Sequence, residues 1–149
     1  MPYPELSLNS QLCVRIYTVS RLLTQSYRPF LEKINLTYPQ YIVMMLLWEK
    51  DCVPVGYISE RLLLETNTLT PLLKRMEKEG LITRKRNSED TRQKIISLTP
   101  KGKLLEEKAV DVPHCMADVL KENNIPSEDL LTMLPVLDNM INKLKTKKH

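Results

Sequence analysis

The sequence predicts a mainly α-helical chain carrying one small β-hairpin, and three observations point that way. Apolar residues recur at helical spacing towards both ends, the period changes once past the middle, and only three glycines occur in 149 residues. From Leu12, the positions Ile16, Val19, Leu23, Tyr27, Phe30 and Ile34 step by three or four and trace one stripe of a long helix. Pro39 opens a second helix over residues 41–49, so rich in large apolar side chains that it belongs in the interior. A short helix over residues 55–63 follows Pro54.

Next comes Thr66-Asn67-Thr68-Leu69-Thr70-Pro71, dense in capping residues and with a proline placed for a first turn. Leu69, Leu72, Leu73 and Met76 then form an inward face. Thr70, Lys74 and Lys78 lie opposite with Arg75 at the flank, and Gly80 ends the helix. The period then shortens. Leu81-Ile82-Thr83-Arg84-Lys85-Arg86 and Gln93-Lys94-Ile95-Ile96-Ser97-Leu98, joined by the polar turn Asn87-Ser88-Glu89-Asp90, read as a hairpin. Helix resumes at Thr99 or Pro100, and two C-terminal helices, divided near residues 123–127, close the chain. Their stripes include Leu104, Leu105, Ala109 and Val110, then Leu130, Leu131, Leu134, Leu137, Ile141 and Leu144. A short helix, a tight turn, a capped amphipathic helix and a basic hairpin together describe a winged helix-turn-helix.

Composition narrows the functional classes. The chain is 42% hydrophobic and 27% charged, as soluble proteins are, and no run approaches the roughly 20 apolar residues of a membrane span. There is no signal-peptide pattern, so the expected location is the cytoplasm and no membrane partner is expected. The cysteines Cys13, Cys52 and Cys115 lack metal-ligand spacing, and neither His114 nor His149 completes a zinc set. No metal and no cofactor is expected. An odd cysteine count in a reducing compartment suggests free thiols, most often small buried hydrophobes.

The net charge of +4 is unevenly placed. Lys and Arg against Asp and Glu number 6 and 6 in residues 1–73, 10 and 4 in residues 74–103, and 6 and 8 in residues 104–149. The positive excess lies in the helix and hairpin that shape alone marks out. Thr66, Asn67, Thr68 and Thr70 supply short hydrogen bonders for base edges, and Lys74 and Arg75 supply charge for bases or phosphates. In the hairpin, Arg84, Lys85, Arg86, Arg92 and Lys94 reach towards phosphates, with Arg92 near the turn suited to a narrow minor groove. The alternative is a solubilising helix with a polar hairpin; the coincidence of charge and shape favours duplex DNA.

Thr68-Leu69-Thr70-Pro71-Leu72-Leu73-Lys74-Arg75-Met76-Glu77, followed by Gly80-Leu81-Ile82-Thr83-Arg84, resembles the recognition helix and first wing strand of multiple-antibiotic-resistance-regulator (MarR) proteins. Asp90-Thr91-Arg92, with Ser97-Leu98-Thr99 and Gly102 downstream, resembles that family's wing signature. Gln11-Leu12-Cys13 with Tyr17, and Leu36-Thr37-Tyr38-Pro39-Gln40-Tyr41 before Leu47-Trp48-Glu49, narrow the resemblance. They are similar to organic-hydroperoxide-resistance repressors and their staphylococcal oxidant-sensing relatives. The resemblance covers roughly residues 8–112. It departs at Glu65-Thr66-Asn67, where relatives often carry Asp-Ser-Gly, so their operator sequence cannot be borrowed. It implies an obligate homodimer on a near-palindromic operator. Residues 1–36 and 104–149 would form the interface and residues 37–103 the DNA-binding lobe. By position it also implies a wing role for Asp90, orienting arginine rather than meeting phosphate.

A thiol senses peroxide as thiolate. Cys13 follows the possible caps Ser7, Asn9 and Ser10 near a helix start, where the dipole favours an anion, and Tyr17 lies one turn further on the same face. The resemblance implies two further pocket tyrosines, Tyr27 and Tyr38. One helix puts Tyr27 about 21 Å from Cys13, so the family's arrangement has them approach from the partner chain. It also offers Cys115 as a resolving thiol for an intersubunit disulfide with Cys13, and leaves Cys52 a bystander. No residue set for catalysis accompanies Cys13, so an enzyme such as a thiol peroxidase is not expected. A repressor released by a small phenolic ligand, with the thiol incidental, is the alternative, and a pure interaction module is a more distant one.

Overall fold

The computed structural model describes residues 2–145; His149 and the rest of the last four residues of the 104–149 segment lie outside them. Two 3-10 turns, Pro4–Leu6 and Leu8–Ser10, precede α1 (Leu12–Glu32). Then follow α2 (Tyr38–Glu49), β1 (Val53–Pro54), α3 (Val55–Leu62) and α4 (Thr66–Lys78). The hairpin strands are β2 (Ile82–Arg86) and β3 (Lys94–Leu98), and α5 (Pro100–Ala109), α6 (Val112–Glu122) and α7 (Ser127–Lys145) complete the chain.

The core forms around α2. Val43, Met44 and Leu47 are fully enclosed, with Ile58 of α3, Leu69 and Met76 of α4 and Ile96 of β3 packed about them. α2 begins at Tyr38, three residues before the predicted start, because Thr37 and Gln40 form a reciprocal capping box. Gln40 is the one buried polar residue among those described; its amide donates to Glu79 at 2.9 Å, tying α2 to the end of α4.

The expected hairpin is present in the register Ile82↔Leu98 through Arg86↔Lys94, but it belongs to a three-stranded antiparallel sheet ordered β1-β3-β2. The sequence pattern does not predict β1. Val53 and Pro54 pair with Ile96 and Ile95, a two-residue match too short to show in any periodicity. Asp51 secures this corner: one carboxylate oxygen accepts from the Leu98 amide at 2.8 Å, and the other pairs with Lys103 at 3.5 Å.

Three helices, not two, follow the wing. The extra break falls at residues 110–111, because Pro113 has no N–H to donate to Ala109 and its ring crowds that carbonyl. Gly102 sits where α5 presses on the sheet. A methyl group there would overlap the Leu81 carbonyl oxygen, and the Gly102 carbonyl accepts from the Trp48 indole at 3.0 Å.

Two apolar surfaces lack cover within the chain. Leu12, Ile16 and Val19 are exposed, although they belong to the stripe whose far end, Ile34, is buried, and Leu22 beside them on α1 is exposed as well. On α7 no residue is buried, and Leu131, Leu134, Ile141 and Leu144 are open to solvent.

Candidate nucleic-acid interface and thiol site

The α3–α4 turn is built by the chain's own chemistry. Leu63 adopts the left-handed conformation (φ 52°), and the Ser59 hydroxyl donates to the Leu64 carbonyl at 2.6 Å, fixing the angle at which α4 leaves. The predicted inward face of α4 is buried in full: Leu69, Leu72, Leu73 and Met76. Opposite it, Thr66, Asn67, Thr68, Lys74 and Arg75 are exposed and Thr70 is half-buried. Two local expectations change. Glu65 occupies the N-cap without a side-chain hydrogen bond, and Pro71 lies inside the helix rather than in its first turn. The short polar residues therefore line the exposed start of α4 instead of capping it. Gly80 (φ 73°) ends the helix as predicted, with the Leu81 amide closing back on Met76.

In the wing, Lys85, Arg86, Arg92 and Lys94 are exposed. Arg84 departs from the expectation that it reaches DNA. Its guanidinium lies 2.9 Å from the Glu77 carboxylate, its backbone amide donates to the same group at 3.3 Å, and only 15% of the side chain is exposed. Arg84 fastens β2 to α4. Asp90 reaches arginine through the backbone: its carboxylate accepts the Arg92 amide at 3.0 Å and so shapes the turn that presents Arg92.

Cys13 is the second residue of α1 and exposed, and Tyr17, one turn on, is exposed as well. The unbroken α1 keeps Cys13 and Tyr27 about 21 Å apart in one chain, so the predicted pocket is not assembled within a single copy. The tyrosines are assembled with each other. Tyr27 and Tyr38 pack at a tilt with ring centroids 5.1 Å apart, and Tyr41, the first residue of the segment predicted to be interior, completes the cluster at 6.0 and 6.4 Å. The Tyr38-x-x-Tyr41 spacing on one helix face was the available signal. Burial, with neighbouring phenols adding to it, pushes the Tyr27 and Tyr41 hydroxyls above the ordinary value of 10.0. They therefore remain hydrogen-bond donors at any physiological pH.

An acid whose folded pKa is raised adds stability below its unfolded value and loses it as pH climbs through the folded one. In an alkaline titration followed by phenolate absorbance, Tyr27 and Tyr41 are expected to ionise above the ordinary value of 10.0, together with loss of structure. Ionisation of these two at or below that value would contradict the cluster.

Cys115 is half-buried on α6, which packs against α1. Cys52 is exposed at the base of the wing with φ 57°, and the Ser97 hydroxyl donates to its sulfur at 3.3 Å. Among the described residues no group of histidines, cysteines and carboxylates is placed to hold a metal ion, and no helix is long and apolar enough to cross a membrane.

A tight helix-turn-helix with a polar-faced second helix and a basic wing is the architecture of winged helix-turn-helix transcriptional regulators. Comparison with known proteins specifies the kind. Residues 25–108 match the family model described as transcriptional regulator SarA/Rot, and this chain belongs to that family. It is 45% identical to the organic hydroperoxide resistance transcriptional regulator of Bacillus subtilis, over 97% of each chain. It is also similar to two solved structures of the regulator AbfR. For the reduced, DNA-bound form the TM-score is 0.77 at 34% identity, over 97% of this chain and 99% of that one. For the disulfide form the values are 0.62 and 38%, over 83% and 92%.

Proposed function

We propose that this chain is a redox-sensing transcriptional repressor. Its reduced homodimer holds a near-palindromic operator and lets go when an organic hydroperoxide or similar oxidant oxidises Cys13. One observation carries the reading: the thiol and the tyrosine cluster sit at opposite ends of one unbroken helix, so they meet only across a two-fold axis. The uncovered stripes of α1 and α7 supply the surface for that pairing, with residues 1–36 and 104–149 as the interface and residues 37–103 as the reading lobe. The likeness to a hydroperoxide resistance regulator over nearly the whole chain supports the choice of oxidant.

In the proposed reaction the Cys13 thiolate attacks one peroxide oxygen of ROOH. The O–O bond breaks, the alkoxide leaves and takes a proton to become an alcohol, and sulfur is left as sulfenic acid. Donors from the partner's Tyr27 and Tyr38, with Tyr17 of the same chain, hold the oxygen. The partner's Cys115 then displaces that hydroxyl as water and closes an intersubunit disulfide; the existence of a disulfide form of AbfR, a similar regulator, supports this second step. One oxidant consumes the two thiols of a disulfide and the proposed cycle includes no reductant to restore them for repeated turnover, so the chain acts as a sensor rather than an enzyme, and its work on the operator belongs in the cytoplasm.

On DNA, Thr66, Asn67, Thr68 and Thr70 meet base edges from the start of α4, and Lys74 and Arg75 extend the contact. Arg86 and Arg92 hold phosphates or the minor groove, with Asp90 shaping the turn. The test is operator affinity as a function of salt. Arg86→Ala and Arg92→Ala are each expected to lower the log–log salt slope by about 1 with little change in melting temperature. Arg84→Ala should leave the slope in place and lower stability by about 1–3 kcal/mol. A salt-independent affinity would remove the DNA reading altogether.

A further inference from the structure

Within the proposed interface, the segment before α1 has no part in the thiol chemistry. Residues 3–10 are folded, yet Tyr3, Leu6 and Leu8 are all more than 60% exposed. The two 3-10 turns pack chiefly on each other. They are pinned from within: the Gln11 amide donates to the Glu5 carbonyl at 2.6 Å, the Ser10 hydroxyl to the Ser7 carbonyl at 2.7 Å, and Arg15 to the Asn9 carbonyl. A short segment held in shape while it presents leucines to water is built to bury them elsewhere.

A cleft of about 740 Å³ lies between the α1–α2 turn and α5, floored by Ile34, Leu81 and Leu104 and edged by Lys33, Lys101 and Lys108. The Lys101 ammonium donates to the Glu79 carbonyl at 2.7 Å, and among the described residues no hydrogen bond or ion pair engages the side chain of Lys33 or Lys108. Between residues 2 and 14 the sole charged side chain is Glu5. Glu79 also lines the cleft, but its carboxylate accepts from the Gln40 amide, so three lysines against that one acid leave the cleft matched to the segment in charge and in apolar content.

Symmetry brings them together. A two-fold that seats Cys13 on the partner's Tyr27 runs α1 antiparallel to its copy, and positions equally far outward then face each other. The segment holding Glu5 and Leu6 lies outward of Cys13, before the start of α1, and the partner's Ile34 and Asn35 lie outward of Tyr27, past its end, so both come to the same end of the antiparallel pair. Ile34 and Asn35 lie on the wall of the cleft.

We propose that residues 3–10 of each chain dock into the lysine-edged cleft of a second copy and cover the approach to the thiol that the two chains share. This rests on the dimeric sensor proposed above, and its test is separable from that reading. In a Cys13→Ser, Cys52→Ser, Cys115→Ser background, Leu6→Cys combined with Leu104→Cys should give a covalent dimer on a non-reducing gel after mild oxidation. Neither single variant should do so, nor should Leu6→Cys paired with Leu63→Cys, an exposed position at the α3–α4 turn. A link within one chain, no link, or equal linking in the control overturns the docking. A second measurement needs no new cysteine. With Leu6→Ala and Leu8→Ala combined, alkylation of Cys13 by iodoacetamide should quicken several-fold, and an unchanged rate overturns the covering role. Failure of hydroperoxide to release the operator from wild type, with the cross-link formed, would count against the sensor and not against the docking.

Discussion

Cys13→Ser is expected to keep its operator through a hydroperoxide treatment that frees the wild type. A hundredfold loss of affinity on oxidation corresponds to about 2.7 kcal/mol of difference between the two states. That is modest for a covalent change at a subunit interface. Serine cannot form a sulfenic acid, so the variant's affinity should stay within about twofold by fluorescence anisotropy, well under 1 kcal/mol. Cys115→Ser then divides the mechanisms. If the disulfide drives release, this variant loses both the covalent dimer on a non-reducing gel and most of its response. If it responds like wild type, Cys13 alone is sufficient. Release of Cys13→Ser by oxidant would overturn the sensor assignment, and release by a phenol without oxidant would favour a ligand-gated repressor.

The largest structural penalty is expected at Gly102. Alanine there meets a backbone carbonyl and approaches the Leu98 side chain at 3.2 Å, and backbone cannot turn aside as a side chain can. α5 must lift from the sheet, which also pulls the Gly102 carbonyl from the Trp48 indole. A loss of about 3 kcal/mol or more is expected by chemical denaturation, the upper end for overpacking a filled interior, because the wall here is backbone. Gly56→Ala is the control, since a methyl group at that position meets nothing within 4 Å. Equal stability of Gly102→Ala and wild type would mean that α5 does not bear on the sheet in this way.

Periodicity made the helices and the hairpin readable because their burial is one-sided: the inward face of α4 and the stop at Gly80 fell where the pattern put them. What escaped was of another physical kind. The start of α2 depends on a reciprocal pair of hydrogen bonds between Thr37 and Gln40, which hydrophobic spacing does not register. The strand β1 is a distant pairing of two residues, invisible to any window. At the site, counting charge found a basic wing but could not see that Glu77, seven residues before Arg84, points back at it. Tyr41 passed as core because a buried tyrosine and a buried leucine leave the same mark on an amphipathic pattern, and only the ring contacts tell them apart.

The Glu77–Arg84 clasp has a wider consequence. With the hairpin bolted to the helix beside it, the part that touches DNA travels as one piece, so a signal arriving from the far end of the molecule can alter how far apart the two readers stand but not what either one reads. Which genes are answered and when they are answered therefore become separately adjustable, and changes accumulating in one of these properties need not disturb the other.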